Sequence, residues 1–344
     1  MESISERLAR YLAHRMPEAS DLEISGLTRI HGGASRETYR CTARWQEHGL
    51  DYERGLVLRR DPVGSLIETE RSVEYAAYAT FQDSEVPVPE LWFLEEDERW
   101  LERPFFVMTE APGQAANPFA SEPYGSQAEA IGEQFWRILG KISSTTVTGT
   151  PIAAQVDAPG RENAWRRELD HWENVIDADE LVPQPIVRAA IRWLRRNPPP
   201  PPERLAIVHG DYRTGNFLFD EQGRVTAILD WEMCHLGDPL EDLGWALDPL
   251  WAGTTPERPG QLLDRTRGIA TWEGASGLTV DQDALRWGEI FAHVKGSAIW
   301  ISGSREYASG TNHDPVLLIS GWLCTARHAE IIAERFVHLL EERP

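Results

Sequence analysis

The sequence predicts an α+β protein in two parts, residues 1–110 and 111–344. Three observations predict it. Short apolar runs separated by Gly, Pro and charged turns dominate the first part, with one helical stretch set among them. Helical periodicity takes over from about residue 127 and continues almost to the end. Within that helical part, residues 205–230 read as strand, turn and strand, with polar groups where the strands stop.

Ile4, Leu8, Tyr11 and Leu12 stand at helical spacing and predict an amphipathic helix over Ile4–Met16. Leu22-Glu23-Ile24 opens an alternating, strand-like region. Next comes His31-Gly32-Gly33-Ala34-Ser35. A Gly pair there serves a hairpin turn, or lets the backbone approach phosphates without Cβ interference. Gly55-Leu56-Val57-Leu58-Arg59-Arg60 is a strand ending in two cations, which alternation sends to opposite faces. Ile67–Gln82 reads as a helix with Val73, Ala76, Ala77 and Tyr78 near one face. Val86-Pro87-Val88-Pro89 is an extended connector, because each Pro pushes its predecessor into the β region. Leu91–Leu94 and Phe105–Met108 read as strands around the turn Glu95–Arg99.

Ile131, Phe135, Ile138, Leu139 and Ile142 give the helix Gln127–Ser144 its buried stripe. Arg161–Val175 mixes Arg161, Arg166 and Arg167 with Trp165 and Trp172. It is either a solvated helix face with a buried stripe or an anion-binding wall for a carboxylate or phosphate. Ile186–Arg196 is amphipathic, and the prolines Pro198–Pro202 form a stiff spacer leading to Leu205. Beyond Gly244 the chain turns helical around Trp245, Leu247, Leu250 and Trp251. Leu285–Ser302 and Pro315–Leu340 are strong helical patterns around a polar loop, whose polarity accounts for His313 and Asp314.

The stretch Leu205–Gly244 carries the chemistry. An apolar run ends at His209-Gly210-Asp211, and Asn216 follows five residues after Asp211. Phe217-Leu218-Phe219, a turn over Asp220–Arg224 and Val225–Leu229 then lead to Asp230. Phosphoryl transfer needs a carboxylate to accept the proton of the attacking hydroxyl, and oxygen ligands for Mg²⁺. Asp211 suits the first role; Asn216 and Asp230 suit the second. Each alone is an ordinary turn or cap residue. Their order and spacing together are far more restrictive.

His209-Gly210-Asp211-x4-Asn216, Ile228-Leu229-Asp230-Trp231-Glu232 and Gly237-Asp238-Pro239-x2-Asp242-Leu243 resemble the aminoglycoside phosphotransferase and choline kinase family. The resemblance implies a two-lobed protein-kinase-like fold: a small antiparallel β lobe with a helix, and a larger, mainly α lobe carrying a catalytic β-hairpin. Protein kinases carry His-Arg-Asp and Asp-Phe-Gly at these places, and an Ala-Pro-Glu motif follows. Here the motifs read His-Gly-Asp and Asp-Trp-Glu with no Ala-Pro-Glu after them, which points to the small-molecule branch.

By the same resemblance, backbone groups at Gly33, Ala34 and Ser35 cover nucleotide phosphates. Arg59 stands where the family commonly has a phosphate-binding Lys, with Arg60 as the alternative. Glu74 is the helix carboxylate that orients this cation, with Glu70 one turn earlier as the alternative. The carbonyl of Thr109 and the N–H of Ala111 meet adenine at the hinge. Asp211 is the catalytic base, Asn216 and Asp230 hold Mg²⁺, and His209 buttresses the loop. Asp238 and Asp242 brace the loop behind the metal. The implied cofactors are ATP or GTP and Mg²⁺; the implied partner is a small molecule with a hydroxyl group.

For that acceptor, the strand Leu56–Arg60 and the Arg/Trp-rich helix are most similar to the branch fused to acyl-CoA dehydrogenases in some proteins. That branch implies a hydroxy-acid or hydroxyacyl acceptor. An aminoglycoside kinase is the second reading, favoured by the acidic charge. A nucleotide-binding regulator without turnover is a third, and the intact Asp211, Asn216 and Asp230 argue against it.

Composition bounds the remaining possibilities. A chain of 344 residues, 41% hydrophobic and 26% charged, is globular with ample core. A net charge of −21 argues against nucleic acid and anionic membranes as partners. Cys41, Cys234 and Cys324 are scattered, odd in number and without CxxC, as free thiols in a reducing compartment are. Met1–Ala13 lacks an apolar core of signal length, and no run approaches the ~18–20 apolar residues of a membrane span. The expected location is the cytoplasm. There is no internal repeat, and the oligomeric state is left open.

Overall fold

Helix α1 (Ile4–Arg15) starts at a capping box: Ser3 accepts the Glu6 N–H and Glu6 bonds back to the Ser3 N–H. A computed structural model of the chain describes residues 2–30, 37–61, 71–253, 255–310 and 312–341. Gly33, Ala34, Ser35 and Glu70 lie outside the described residues.

Strands β1 (Ser20–Ile30), β2 (Glu37–Glu47) and β3 (Leu50–Arg60) run as an antiparallel meander. Helix α2 (Arg71–Phe81) follows. Strands β4 (Leu91–Glu95) and β5 (Phe105–Thr109) then complete a five-stranded sheet of order β1-β2-β3-β5-β4. Its two faces are set by alternation. Leu56, Leu58, Phe105 and Val107 pack with Leu8, Tyr11 and Leu12 of α1. Phe106 and Met108 pack the other way, with Tyr78 and Phe81 of α2. Arg59 is registered against Phe106 and Arg60 against Phe105, so the two guanidinium groups leave on opposite faces.

Strand β6 (Gln114–Ala115) leaves this sheet and pairs in the helical part. There follow α3 (Ala128–Ser144), α4 (Ala164–Asp179), α5 (Pro185–Arg196), β7 (Ala206–Val208), β8 (Phe217–Phe219), β9 (Val225–Ile228) and β10 (His235–Gly237). The chain then continues through α6 (Leu240–Ala246), α7 (Arg265–Ser276), α8 (Gln282–Ser309) and α9 (Pro315–Glu341). The polar stretch is therefore built from two small sheets. β8 and β9 form a hairpin with β6 at its edge, whereas β7 pairs antiparallel with β10. One core cluster runs from Tyr78 and Phe81 through Trp231 to Phe135, Phe217 and Ile228. It joins the large sheet's helix to the hairpin immediately behind residues 209–231.

Helix α7 is not among the predicted elements. Its inward residues are Gly268, Trp272 and Ser276, and Gly268 lies so close to Trp136 that a Cβ would stand 2.8 Å from the indole. A helix that packs through glycine and serine shows no aliphatic stripe. Helix α9 corrects another reading. Over Pro315–Leu339 it is long and apolar enough to cross a membrane by length and composition. Its apolar residues are interrupted by Ser, Thr, Arg, His and Glu, so no unbroken run reveals it.

Candidate active site

Strand β7 delivers His209, Gly210 and Asp211 to the junction between the two parts. Gly210 has φ +87°, and a Cβ there would stand 2.4 Å from the Met233 carbonyl oxygen, so this turn requires glycine. The buried Asp242 accepts the N–H groups of His209 (2.6 Å) and Gly210 (2.9 Å) and holds the turn from beneath. Asp238 does not share that task. It caps α6 at the Leu240 N–H (2.8 Å), and burial pushes its carboxyl up to about 6. The bracing expected of both residues belongs to Asp242 alone of the pair.

His209 is fully buried, and burial lowers its pKa despite the nearby Asp242 and Asp211. The Asp211 N–H donates to its Nδ1 (3.1 Å), so the neutral ring carries its proton on Nε2 and donates to the Leu229 carbonyl (2.9 Å). The imidazole thus ties the Asp211 turn to the end of β9. The Leu229 N–H also donates to the Asn216 carbonyl (2.8 Å), which sets Asn216 beside the residue before Asp230.

Asp211 is held by three donors. Asn216 Nδ2 donates to its Oδ2 (2.6 Å), while Arg213 Nε and Trp245 Nε1 both donate to its Oδ1 (2.9 Å each). With its amide nitrogen committed, Asn216 presents its carbonyl oxygen. Asp230 stands in the left-handed region, φ 68° and ψ 55°, which turns its carboxylate away from the hairpin. Its N–H donates to the buried Tyr78 hydroxyl (3.0 Å).

Arg59 reaches this point from β3. Its Nη2 lies 3.0 Å from Asp230 Oδ1 and 3.4 Å from Glu232 Oε2. Its Nε lies 3.0 Å from Oε1 of the fully buried Glu74, as an ion pair without hydrogen-bond alignment. Burial opposes the guanidinium charge, but Glu74, Asp230 and Glu232 outweigh it and hold Arg59 charged. One cation therefore faces three carboxylates, and these with the Asn216 carbonyl offer hard oxygen donors suited to Mg²⁺. Arg60, on the other face, binds Glu37 (2.5 Å) and the Leu101 carbonyl (3.1 Å).

At the hinge, Thr109 is pinned to the extended connector through Glu90, its N–H donating to the Glu90 carbonyl (2.8 Å). The Ile228 N–H donates to the Pro87 carbonyl (2.8 Å), tying that connector to β9. Ala111 follows Thr109 by two residues, where the chain crosses toward β6.

A cavity of 410 Å³ opens beside Glu232 and Met233. Arg167, Glu168, His171 and Trp172 of α4, His235 and Lys295 also line it. Lys295 Nζ bonds Glu241 (2.9 Å) and lies 5.6 Å and 5.4 Å from the ring centres of Trp172 and Trp245. Trp245 thus connects the cavity floor to Asp211. Of the two readings of the Arg/Trp-rich helix, the structure gives the solvated face with a buried stripe, formed by Leu169, Trp172 and Ile176, and its arginines are engaged elsewhere than in an anion-binding wall. Arg161 bonds the Glu203 carbonyl, and exposed Arg166 lies over Trp165. Arg167 donates to Glu168, the Asp157 carbonyl and the Leu236 carbonyl. Glu232, Arg213 and the Trp245 indole were not among the predicted site residues. Glu232 was visible as the third letter of Asp-Trp-Glu, whereas the other two depend on chain crossings.

Among the described residues three further clusters have metal-ligand residue types, one of them, Glu18, Glu47 and His48, at the surface of the β part. Asp248 Oδ2 meets His293 Nδ1 and His328 Nε2 at 3.0 Å each. Burial would raise the Asp248 pKa, but the two histidines hold it well below the usual carboxylate range. Arg335 Nε donates to His293 Nε2 (3.0 Å), which keeps the His293 proton on the Nδ1 that a metal would need. That cluster braces α8 and α9. In the third, His235 Nδ1 donates to the Met233 carbonyl (3.0 Å) and Nε2 faces Glu241 (3.0 Å) and Glu168 (3.7 Å).

Burial opposes the His235 charge, but Glu168 and Glu241 outweigh it and raise its pKa to about 9. The folded state therefore binds this proton more tightly than the unfolded chain. That stabilisation is complete below pH 6.5 and is lost as pH rises through about 9. Denaturant unfolding should show a loss of at most ~3 kcal/mol across this window, and His235→Gln should flatten it. An unchanged slope in the variant would assign the pH dependence to another group.

Three comparisons place the chain. A family model described as the phosphotransferase enzyme family matches residues 26–278. Mouse acyl-CoA dehydrogenase family member 10 is 31% identical over 199 residues, covering 56% of this chain and only 18% of that protein. Among solved structures, a Ralstonia eutropha protein assigned to the aminoglycoside phosphotransferases superposes with a TM-score of 0.71 at 21% identity. The match covers 96% of this chain and 97% of that one. A thermostable variant of aminoglycoside phosphotransferase APH(4)-Ia, solved with ADP and hygromycin B, gives 0.58 at 16% identity over 95% and 97% of the two chains. The fold is that of the aminoglycoside phosphotransferases, and the chain belongs to the phosphotransferase enzyme family.

Proposed function

We propose that the protein transfers the γ-phosphoryl group of ATP to a hydroxyl of a small hydroxy acid or hydroxyacyl thioester, with Mg²⁺ bound. The observation that carries the transfer chemistry is the meeting of Arg59 with Glu74, Asp230 and Glu232 beside the Asp211–Asn216 turn. Asn216 and Asp230 would hold Mg²⁺, which neutralises phosphate charge when bound. Asp211 accepts the proton of the attacking hydroxyl, and its three donors keep the carboxylate aimed. Arg59, oriented by Glu74, supplies a fork of donors to phosphate oxygens. Thr109 and Ala111 face the base of the nucleotide through their backbone groups. Residues 1–110 serve as the nucleotide lobe and residues 111–344 as the catalytic and acceptor lobe.

The acceptor reading rests on the cavity and on the relative. A polycationic acceptor needs carboxylates able to meet its amino groups. Here Glu168 is engaged by Arg167 and Glu232 by Arg59, and the adjoining Glu241 is engaged by Lys295 and His235. With the exposed Asp157 as the remaining lining carboxylate, that balance suits an acceptor with at most one positive group rather than a polycation. The likeness to an acyl-CoA dehydrogenase family member supports an acyl or hydroxy-acid chain. The net charge of −21 and the neighbour solved with hygromycin B favour an aminoglycoside acceptor instead.

ADP release measured across hydroxyacyl-CoAs, free hydroxy acids, aminoglycosides, amino alcohols and sugars separates these readings. Greater stimulation by the hydroxy acids or their thioesters is expected. A preference for aminoglycosides, with resistance conferred on a host cell, would overturn the acceptor assignment. With the best acceptor, Asp211→Asn should lower kcat by ~10²–10⁴-fold and leave nucleotide binding nearly unchanged. Full activity in that variant would remove Asp211 as the base.

A further inference from the structure

Asp211 uses its two carboxylate oxygens unequally. Oδ1 accepts Arg213 Nε and Trp245 Nε1, at 2.9 Å each, whereas among the described residues Oδ2 accepts only Asn216 Nδ2, at 2.6 Å. A carboxylate oxygen has two lone-pair sites. Oδ1 is therefore filled, and the open site is on Oδ2, beside Asn216. The Asp211 side chain is 14% exposed, so that site can be reached. The two donors to Oδ1 have different origins. Arg213 belongs to the same turn and moves with it. Trp245 stands 34 residues further along the chain, on α6. Three residues before it on that helix, Asp242 accepts the His209 and Gly210 N–H groups. Residues three apart share a helix face. One face of α6 thus holds the backbone of the turn through Asp242 and the Asp211 side chain through Trp245.

The indole is fixed in turn. A Cβ on Gly244 would stand 2.9 Å from the Gly288 carbonyl carbon, so α6 is pressed onto the backbone of α8. Trp245 is buried, edge-on to Trp251 with ring centres 5.6 Å apart, and Lys295 Nζ lies 5.4 Å from its ring centre. Glu241, also on α6, holds that ammonium at 2.9 Å. A cation over the ring draws electron density from it and makes the N–H a stronger donor. Packing with Trp251 and Ala292 accounts for the ring but not for the bond. Trp136, Trp172, Trp251 and Trp300 are held in the fold with no hydrogen bond at their indole nitrogens among the described residues. We infer that Trp245 is a positioning residue for phosphoryl transfer, an inference that rests on Asp211 as the base. By filling Oδ1 together with Arg213, it leaves Oδ2 to receive the proton. The O–H proton of the acceptor passes to Oδ2 as the acceptor oxygen bonds the γ-phosphorus and the bond from that phosphorus to the ADP oxygen breaks. Without the indole N–H, Asp211 keeps one donor on Oδ1 from its own turn, and its terminal torsion, intrinsically broad, is less confined.

A double-mutant cycle tests this: kcat and the KM for ATP of Trp245→Phe, Asp211→Ala and the double variant, measured with the best acceptor. Trp245→Phe removes the N–H and keeps an aromatic ring in the cluster. Its kcat should fall ~10–100-fold, as loss of one hydrogen bond to a charged group would give, with the KM for ATP near normal. In the Asp211→Ala background the same substitution should change kcat by less than about threefold, because the indole then has no carboxylate to position. An equal loss in both backgrounds would make Trp245 a packing residue and overturn the inference while leaving Asp211 as the base. So would an unchanged kcat in Trp245→Phe. Full activity in Asp211→Ala would overturn both assignments. If Trp245→Phe does not fold, 3-benzothienylalanine in place of Trp245 gives the same comparison, since sulfur replaces the N–H in a ring of nearly the same size.

Discussion

Asp230→Asn is expected to abolish measurable phosphoryl transfer in a protein that remains folded. Asp230 has φ 68° and ψ 55°, a conformation that Asn tolerates and that costs other side chains ~1–2 kcal/mol. Asn also keeps the shape of the side chain and an oxygen. What it loses is the charge. In the proposed set Asp230 is the charged metal ligand and Asn216 the neutral one, so two neutral amides would remain. A metal ion supplies several kcal/mol of charge stabilisation in such reactions. A fall in kcat of ~10³-fold or more follows, with loss of the Mg²⁺-dependent part of the thermal shift caused by ATP. Arg59 keeps Glu74 and Glu232, so global stability should change little. Near-normal turnover at high Mg²⁺ would show that the metal is held elsewhere.

Arg59→Ala should carry the largest cost in stability. It leaves Glu74, Asp230 and Glu232 facing one another without the cation between them. Removing one partner of a buried ion pair typically costs ~3–5 kcal/mol. The sign with pH can be worked out. Buried carboxylates stripped of their cation bind protons more tightly in the folded than in the unfolded state, so the variant should lose less stability, relative to wild type, as pH falls. The KM for ATP should rise and kcat should fall. Arg59→Lys should recover part of both, because it keeps the charge and loses the fork. Arg60→Ala should destabilise through its lost bonds to Glu37 and Leu101 while leaving the KM for ATP near normal. If Arg60→Ala is instead the variant with impaired ATP use, phosphate contacts belong to the other face of β3.

Much of the site's layout was readable because it depends on short-range rules. Strand alternation separates Arg59 from Arg60, and the register of β3 on β5 shows that separation. The order of strand, turn and strand places Asp211, Asn216 and Asp230 at strand ends, and β8 and β9 do form the hairpin. The same rules leave open the role of residues whose partners lie far along the chain. Asp238 and Asp242 look alike in sequence, yet only Asp242 lies under the His209 turn. Arg161, Arg166 and Arg167 look like a basic face. Two of them instead bond backbone carbonyls, of Glu203 for Arg161 and of Asp157 and Leu236 for Arg167.

The sequence by itself determined the α+β division, the hairpin with its three polar ends, and the face of β3 on which each arginine stands. Period, turn chemistry and spacing act within a few residues, so they can be read in order along the chain. Only the tertiary structure decided that Asp230 and Glu232 join Glu74 around Arg59, and which indole holds Asp211. It alone decided that α7 packs through Gly268 and that α9 leaves Trp322 uncovered. Arg59 and Glu232 are 173 residues apart. A contact of that span is set by how whole elements pack, and no local pattern in either segment encodes it.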